Sequence, residues 1–210
     1  MTWVPLLLAD PSPSLRLQVL RDLLCYPEED PEVQELLSLQ AKDPLVVGLL
    51  TSQSEEGAWL PGMLPGNYPG GIIQATACVM LRLAFLGLQA SHPALQRAAA
   101  YLFSVQEADG SWAIASGYSP EAGEEEVSSM PMQTAIPLAG LAACGFADHP
   151  QSEKGYEWLL TQRLEDGAWL TGWKSGSMRR VAGYRRLPHS RWGCRSNTTA
   201  ALLSLAYHPQ

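Results

Sequence analysis

Apolar residues recur along this chain at three- and four-residue steps, a spacing that predicts helices, and no segment requires a strand. Residues 72–89 are the clearest case, with Ile73, Ala77, Met80, Leu81, Ala84 and Leu88 in phase and strong helix formers dominating. Two more polar segments, 94–106 and 151–162, read as outer helices that open on Pro93 and Pro150. Proline suits the first helical turn, where its missing N–H costs nothing. Pro137, inside an alanine-rich segment that starts near Gln133, predicts a kink or a late helix start. Near the N-terminus, 13–25 predicts a helix with Leu15, Val19, Leu20 and Leu23 on one side. A turn over 26–31 follows, then a longer helical segment that reaches Ser52.

These helices belong to a repeat. Gln53, Gly57 and Trp59 recur as Gln106, Gly110 and Trp112, and again as Gln162, Gly167 and Trp169 with one extra residue; the tryptophans lie 53 and 57 residues apart. A His-Pro pair stands 20 residues before two of them, at His92-Pro93 and His149-Pro150, and another closes the chain at His208-Pro209. Gln74-Ala-Thr-Ala77, Gln133-Thr-Ala135 and Asn197-Thr-Thr-Ala200 open the alanine-rich helices. Each unit is therefore a helix, a short turn, a second helix and a Gly-Trp loop. Glycine supplies a left-handed turn, tryptophan covers a helix end, and glutamine bonds backbone groups that the turn leaves open. The repeated histidines read as turn residues.

The 210 residues, 46% of them hydrophobic, suffice for one domain with a real core. No apolar run reaches the roughly 18 residues of a membrane span, and no leader-like segment opens the chain, so a soluble, cytoplasmic protein is expected. The four cysteines are widely spaced and read as reduced core residues; no metal site and no cofactor are expected.

The net charge of −7 is unevenly spread. No acid follows Asp166, and the last 44 residues carry seven bases: Lys174, Arg179, Arg180, Arg185, Arg186, Arg191 and Arg195. This block is a candidate anion-binding segment. Tyr184, Trp173 and Trp192 among the arginines would also suit single-stranded nucleic acid, but the acidic remainder argues against a nucleic-acid partner. The preceding repeat holds an acidic counterpart, Glu121 with Glu124, Glu125 and Glu126, between its Gly-Trp motif and the next inner helix. Three readings stand together: the two loops pair with each other or are simply solvated, the basic loop takes an anion such as a diphosphate, or the pair meets a partner protein. The weak catalytic candidates are Glu124–Glu126, as general acid or divalent-ion ligands, and His189 with Cys194, as a metal or nucleophile pair.

The segment from Tyr101-Leu102 through Gln106 and Gly110 to Trp112 resembles the QW repeat of squalene-hopene and oxidosqualene cyclases. The wider superfamily includes β subunits of protein prenyltransferases, lanthipeptide cyclases and bacterial prenyltransferase-like repeat proteins. Residues 13–24 and the Pro27-Glu-Glu-Asp-Pro-Glu-Val33 stretch look most like the last group. The resemblance runs over about residues 13–208. It implies an all-α, α/α-toroid-type array of helical hairpins forming an incomplete ring of about seven or eight helices in one domain over 1–210. Within it, a variant hairpin covers about 13–59, repeats cover 60–112 and 113–169, and the basic loop and last helix cover 170–210.

The resemblance also implies an isoprenoid or other apolar small molecule as ligand, in an apolar pocket with the basic segment at its mouth. The catalytic signatures of these families are absent: no Asp-x-Asp-Asp, no Asp-x-Cys and no Cys-His pair occurs, and Asn197 stands where a prenyltransferase-like histidine would fall. Catalysis is therefore left open, with a non-catalytic binding or assembly module as the alternative. The hairpins are too few to close a ring, so either self-association or a partner protein is expected to complete it.

Overall fold

The computed structural model describes residues 3–62, 71–113, 130–170, 187–190 and 192–209. These form α1 (Val4–Leu8), α2 (Pro13–Gln18), α3 (Pro31–Gln40), α4 (Pro44–Thr51), α5 (Ile72–Phe85), α6 (Pro93–Ser104), α7 (Pro131–Ala143), α8 (Pro150–Thr161) and α9 (Arg195–Ala206). Among the described residues there is no strand, only isolated bridges between Arg163 and Trp169 and between Leu170 and Gly193. The protein is all-α and toroid-like. No described helix is long and apolar enough to cross a membrane.

The nine helices among the described residues exceed the expected seven or eight for two reasons. α1 carries no pattern that marks it, and the segment expected to run on to Ser52 breaks at Asp43-Pro44. Proline drives the residue before it out of the helical region. Asp43, at φ −61° and ψ 126°, instead caps α4 and accepts from the N–H groups of Leu45 at 2.8 Å and Val46 at 3.4 Å.

Two further expectations are corrected. α2 does not continue as α-helix but passes into a π-helical turn, Val19–Leu23, closed by Leu24 N–H on Val19 O at 3.0 Å. The wider turn shifts the apolar phase, so Leu23 is 47% exposed, whereas Leu17 and Leu20 are buried and Leu24 packs beside them. α7 starts at Pro131 and continues as helix past the buried Pro137, so of the two expected outcomes the late start does not occur.

α5, α7 and α9 lie side by side and parallel as an inner layer. The Cys144 thiol donates to Met80 O at 3.3 Å, and a Cβ on Gly140 would sit 2.6 Å from Ala77 O, so α5 and α7 nearly touch backbone to backbone. Burial pushes the Cys144 thiol up to about 12. At the other end of α7, Asn197 Oδ1 accepts from Met132 N–H at 3.0 Å and brings the starts of α7 and α9 together. α4, α6 and α8 cover this layer; Tyr156 on α8 donates its hydroxyl to Ser204 O on α9 at 3.0 Å. The main core gathers Trp59, Trp112 and Trp169 with Met80, Leu83, Leu95, Leu102, Leu138, Leu141 and Leu159. A separate small cluster, Leu17, Leu20, Val33 and Leu36, holds the N-terminal helices together.

The outer helices start from capping side chains. Asp30 and Asp43 cap α3 and α4, while His92 Nδ1 accepts from Ala94 N–H and His149 Nδ1 from Gln151 N–H, both at 3.2 Å. The expected turn role of these two histidines is thus a helix cap made by neutral imidazole. Burial, and secondarily Arg97, lowers the His92 pKa below its ordinary 6.5. A depressed histidine pKa means that the unfolded chain takes up a proton that the folded one refuses. The His92 contribution is complete above about pH 6.5 and declines as pH falls from there towards the folded pKa. Urea midpoints measured from pH 8 to pH 5 should show this slope, and His92→Asn, which caps without titrating, should flatten it.

One helix carries a residue of low helix propensity that can be replaced. Gly48 lies exposed inside α4, and nothing lies within 4 Å of where its Cβ would stand. Gly48→Ala should stabilise the fold by about 0.5–1 kcal/mol in chemical denaturation, the helix-propensity difference between the two residues.

Candidate ligand-binding face

The Gln-Gly-Trp modules come first, because they fix the inner helices. Each tryptophan indole N–H donates to a leucine carbonyl ten residues back: Trp59 to Leu49 at 2.7 Å, Trp112 to Leu102 at 2.8 Å, Trp169 to Leu159 at 2.7 Å. Each tryptophan backbone N–H donates to a threonine hydroxyl in the next inner helix: Thr76 at 3.0 Å, Thr134 at 3.2 Å and Thr198 at 3.0 Å. Gln53 Nε2 bonds Gly57 O and Ala94 O, and Gln106 Nε2 bonds Gly110 O and Gln151 O, all at 2.8–2.9 Å. The second acceptor of each pair is in the first turn of the next outer helix, so glutamine ties successive units together.

Two expectations about the module change. The glycines do not end the helices; they close a turn a few residues later, where Gly57, Gly110 and Gly167 adopt φ of 90°, 96° and 86°. The third module has no extra residue either. α4, α6 and α8 all end eight residues before their tryptophan, and the position six before it is held by Gln53, Gln106 and Arg163. Arg163 thus replaces the tying glutamine; its guanidinium carbon lies 5.8 Å from the centroid of the Trp169 ring. Gln162, one residue earlier, donates to Thr161 Oγ1 at 3.1 Å.

The inner helices begin differently from the outer ones. Gly71, Met130 and Cys194 precede α5, α7 and α9, and none of them makes a side-chain cap. The third residue of each helix is a carboxamide: Gln74, Gln133 and Asn197, all buried. Asn197 is satisfied by Met132 N–H and Leu170 O. Among the described residues, both amide atoms of Gln74 and the Oε1 of Gln133 have no partner. The two unpartnered Oε1 atoms call for a donor and Gln74 Nε2 for an acceptor, so a hydroxyl, which both donates and accepts, suits them, while the open helix N-termini favour negative charge. The exposed positions of these helices include the apolar residues Ile72 and Phe85 on α5 and Leu202 on α9, whereas Cys78 and Ile136 are half-buried against the main core. Phe85 and Leu202 are 56% and 55% exposed.

Of the residues singled out by sequence, Glu124, Glu125, Glu126, Lys174, Arg179, Arg180, Arg185, Arg186 and Arg191 lie outside the described residues. The base of the basic segment is described: Leu170 bridges Gly193, Leu187 N–H donates to Gly193 O at 3.1 Å, and Cys194 N–H donates to Trp169 O at 2.8 Å. Arg195 is exposed at the first position of α9, where the helix dipole opposes a cation. His189 is exposed on the turn before α9, whereas Cys194 is buried as the residue preceding it. His189 lies near Asp166, whose carboxyl is held low by the Ser190 hydroxyl, the Ala168 N–H and, to a lesser degree, that histidine. Among the cysteines, Cys144 and Cys194 are the buried residues expected, while Cys25 is exposed at φ 54° and Cys78 is half-buried. A cleft of about 230 Å³ lies elsewhere, between the N-terminal helices and the end of α5, with Leu17, Gln18, Arg21, Ala84 and Gln89 in its walls.

The family model of the squalene-hopene cyclase C-terminal domain matches residues 34–181, well over half of the chain. The protein belongs to this family. The squalene-hopene cyclase of Zymomonas mobilis is 34% identical over 133 residues, covering 61% of this chain and 19% of that protein. The squalene-hopene cyclase of Bradyrhizobium diazoefficiens is 33% identical over 126 residues, covering 59% and 18%. The match thus spans about a fifth of the length of these curated relatives. Among solved structures, a chain from Salmonella enterica described as a possible member of the GH105 family covers 92% of this chain and 53% of its own, at 17% identity and a TM-score of 0.45. A likeness of that degree decides neither fold nor function. As a squalene-hopene cyclase-type domain, the protein shares its scaffold with terpenoid cyclases; which chemistry it keeps is a separate question.

Proposed function

We propose that this squalene-hopene cyclase-type domain binds an isoprenoid ligand along the inner helices, with an anionic or hydroxyl head at their N-terminal end. The observation that carries this reading is the pair of buried, unpartnered amides of Gln74 and Gln133 at the starts of α5 and α7, together with the exposed apolar residues Ile72 and Phe85 on α5 and Leu202 on α9. Arg195 stands at that end, and the basic segment enters α9 through it, so a diphosphate would find its counter-charge there. Binding, rather than catalysis, is the activity proposed.

Farnesyl and geranylgeranyl diphosphate at about 100 times their dissociation constant should raise the melting midpoint by about 5–10 °C. Arg195→Glu places an acid at a helix start, so it should slightly stabilise the free protein while cutting the ligand-induced rise. No rise at saturating ligand overturns the reading.

A second reading keeps the scaffold as an assembly module, supported by Leu160 and Leu203, which are exposed on α8 and α9. Light scattering of the purified protein separates the two: a stable dimer or ring that buries these leucines supports assembly, and a monomer at micromolar concentration opposes it.

A further inference from the structure

Where α8 starts and α9 ends, away from the inner-helix N-termini, Asp148, Glu153 and His208 bring two carboxylates and an imidazole nitrogen within 4.8 Å of one another. His208 Nε2 is 3.1 Å from Glu153 Oε1. The histidine ring is fixed by packing: it meets Tyr156 edge-on with centroids 4.7 Å apart, and the Tyr156 hydroxyl is anchored on Ser204 O at 3.0 Å. The other two groups can adjust, since Asp148 is exposed and the Glu153 side chain is 42% exposed, against 12% for His208.

A His-Glu pair explains two of these residues and not the third. Asp148 adds a second negative charge to a place that already has one, which repels unless a cation is shared. His208 also departs from its repeat counterparts. His92 and His149 turn Nδ1 to the backbone of their own helix, whereas His208 presents Nε2 to the carboxylates of the neighbouring unit.

We propose that Asp148, Glu153 and His208 form a binding site for a divalent transition-metal ion, zinc above all. One imidazole and two carboxylates match zinc, whose bonds of about 2.0–2.2 Å set donors roughly 3.3 Å apart in a tetrahedron. Contraction from within 4.8 Å needs only side-chain movement of the two acids, and water completes the fourth position. Calcium and magnesium prefer all-oxygen sets and are poorer fits. The ion ties the end of inner helix α9 to the start of outer helix α8, across 55 residues of sequence.

The test uses the full chain carrying Cys25→Ser, because the exposed Cys25 thiol is a competing soft ligand. After chelator treatment and dialysis, zinc is titrated by calorimetry, and cobalt(II) is followed by its visible absorption. One equivalent should bind, zinc should raise the melting midpoint, and Asp148→Asn and His208→Ala should each weaken binding at least about tenfold. Circular dichroism of the metal-free proteins checks that both variants fold; should His208→Ala not fold, the exposed Asp148→Asn decides alone. No binding, or binding unchanged in the variants, overturns the assignment.

Discussion

Replacing Trp112 by alanine lowers the stability of this protein by about 3–5 kcal/mol, read as a fall in the urea midpoint with an unchanged slope. Trp112 is fully buried and contributes to the main core beside Leu102, Leu138 and Leu159. Its indole N–H is bonded to Leu102 O, and its backbone N–H to the Thr134 hydroxyl, so it fastens the end of α6 to the start of α7. Alanine removes the ring, opens a cavity among side chains held by three helices, and orphans the Leu102 carbonyl. Trp112→Phe keeps most of the volume and loses the indole bond, so its cost should be about 1–3 kcal/mol. Equal effects from the two variants would show that the hydrogen bond, not the volume, dominates.

The second large effect comes from Gly110→Ala. At φ 96° the position lies where side chains are strained, and a Cβ would stand 2.5 Å from Lys154 O, a backbone atom of α8 that cannot swing aside. The strain costs about 1–3 kcal/mol. Displacing the first turns of α8 adds about as much again, and it also pulls Gln106 away from Gln151 O. Gly62→Ala is the matched control, with φ 93° and, among the described residues, nothing within 4 Å of the added Cβ. The excess of Gly110→Ala over Gly62→Ala in denaturation measures the close approach between units alone.

The repeat was legible because tryptophan and His-Pro are uncommon and recur with glycine at nearly even spacing, and each proves to hold a defined place: indole on leucine carbonyl, left-handed turn, imidazole cap. The same logic misplaced the third module. Gln162 has the expected letter, but Arg163 has the expected position, and only the distance back from Trp169 to the end of α8 separates the two. Leu23 could not be assigned to solvent from its spacing, since a π-helical turn follows from packing and not from local preference. Asp43-Pro44, in contrast, carried an N-cap signature that outweighs the apolar run around it. At the candidate site, sequence draws attention to charge, and so to the basic segment. The inner-helix amides were visible only as openers of alanine-rich runs, because a buried carboxamide without a partner has no linear signature. His208 likewise stands 55 residues after Glu153 and meets it and Asp148 only through the stacking of units.

The separate nucleus of the N-terminal helices has a kinetic corollary. Leu17, Leu20, Val33 and Leu36 pack with one another, and polar contacts such as Gln18 and Gln40 on the carbonyls of Phe85 and Leu86 join them to the end of α5. Such a unit can open without disturbing the tryptophan core. In a deuterium pulse the amides of α2 and α3 should exchange as one early group. Those of α7, covered by α5 on one flank and α9 on the other, should exchange only when the whole molecule unfolds.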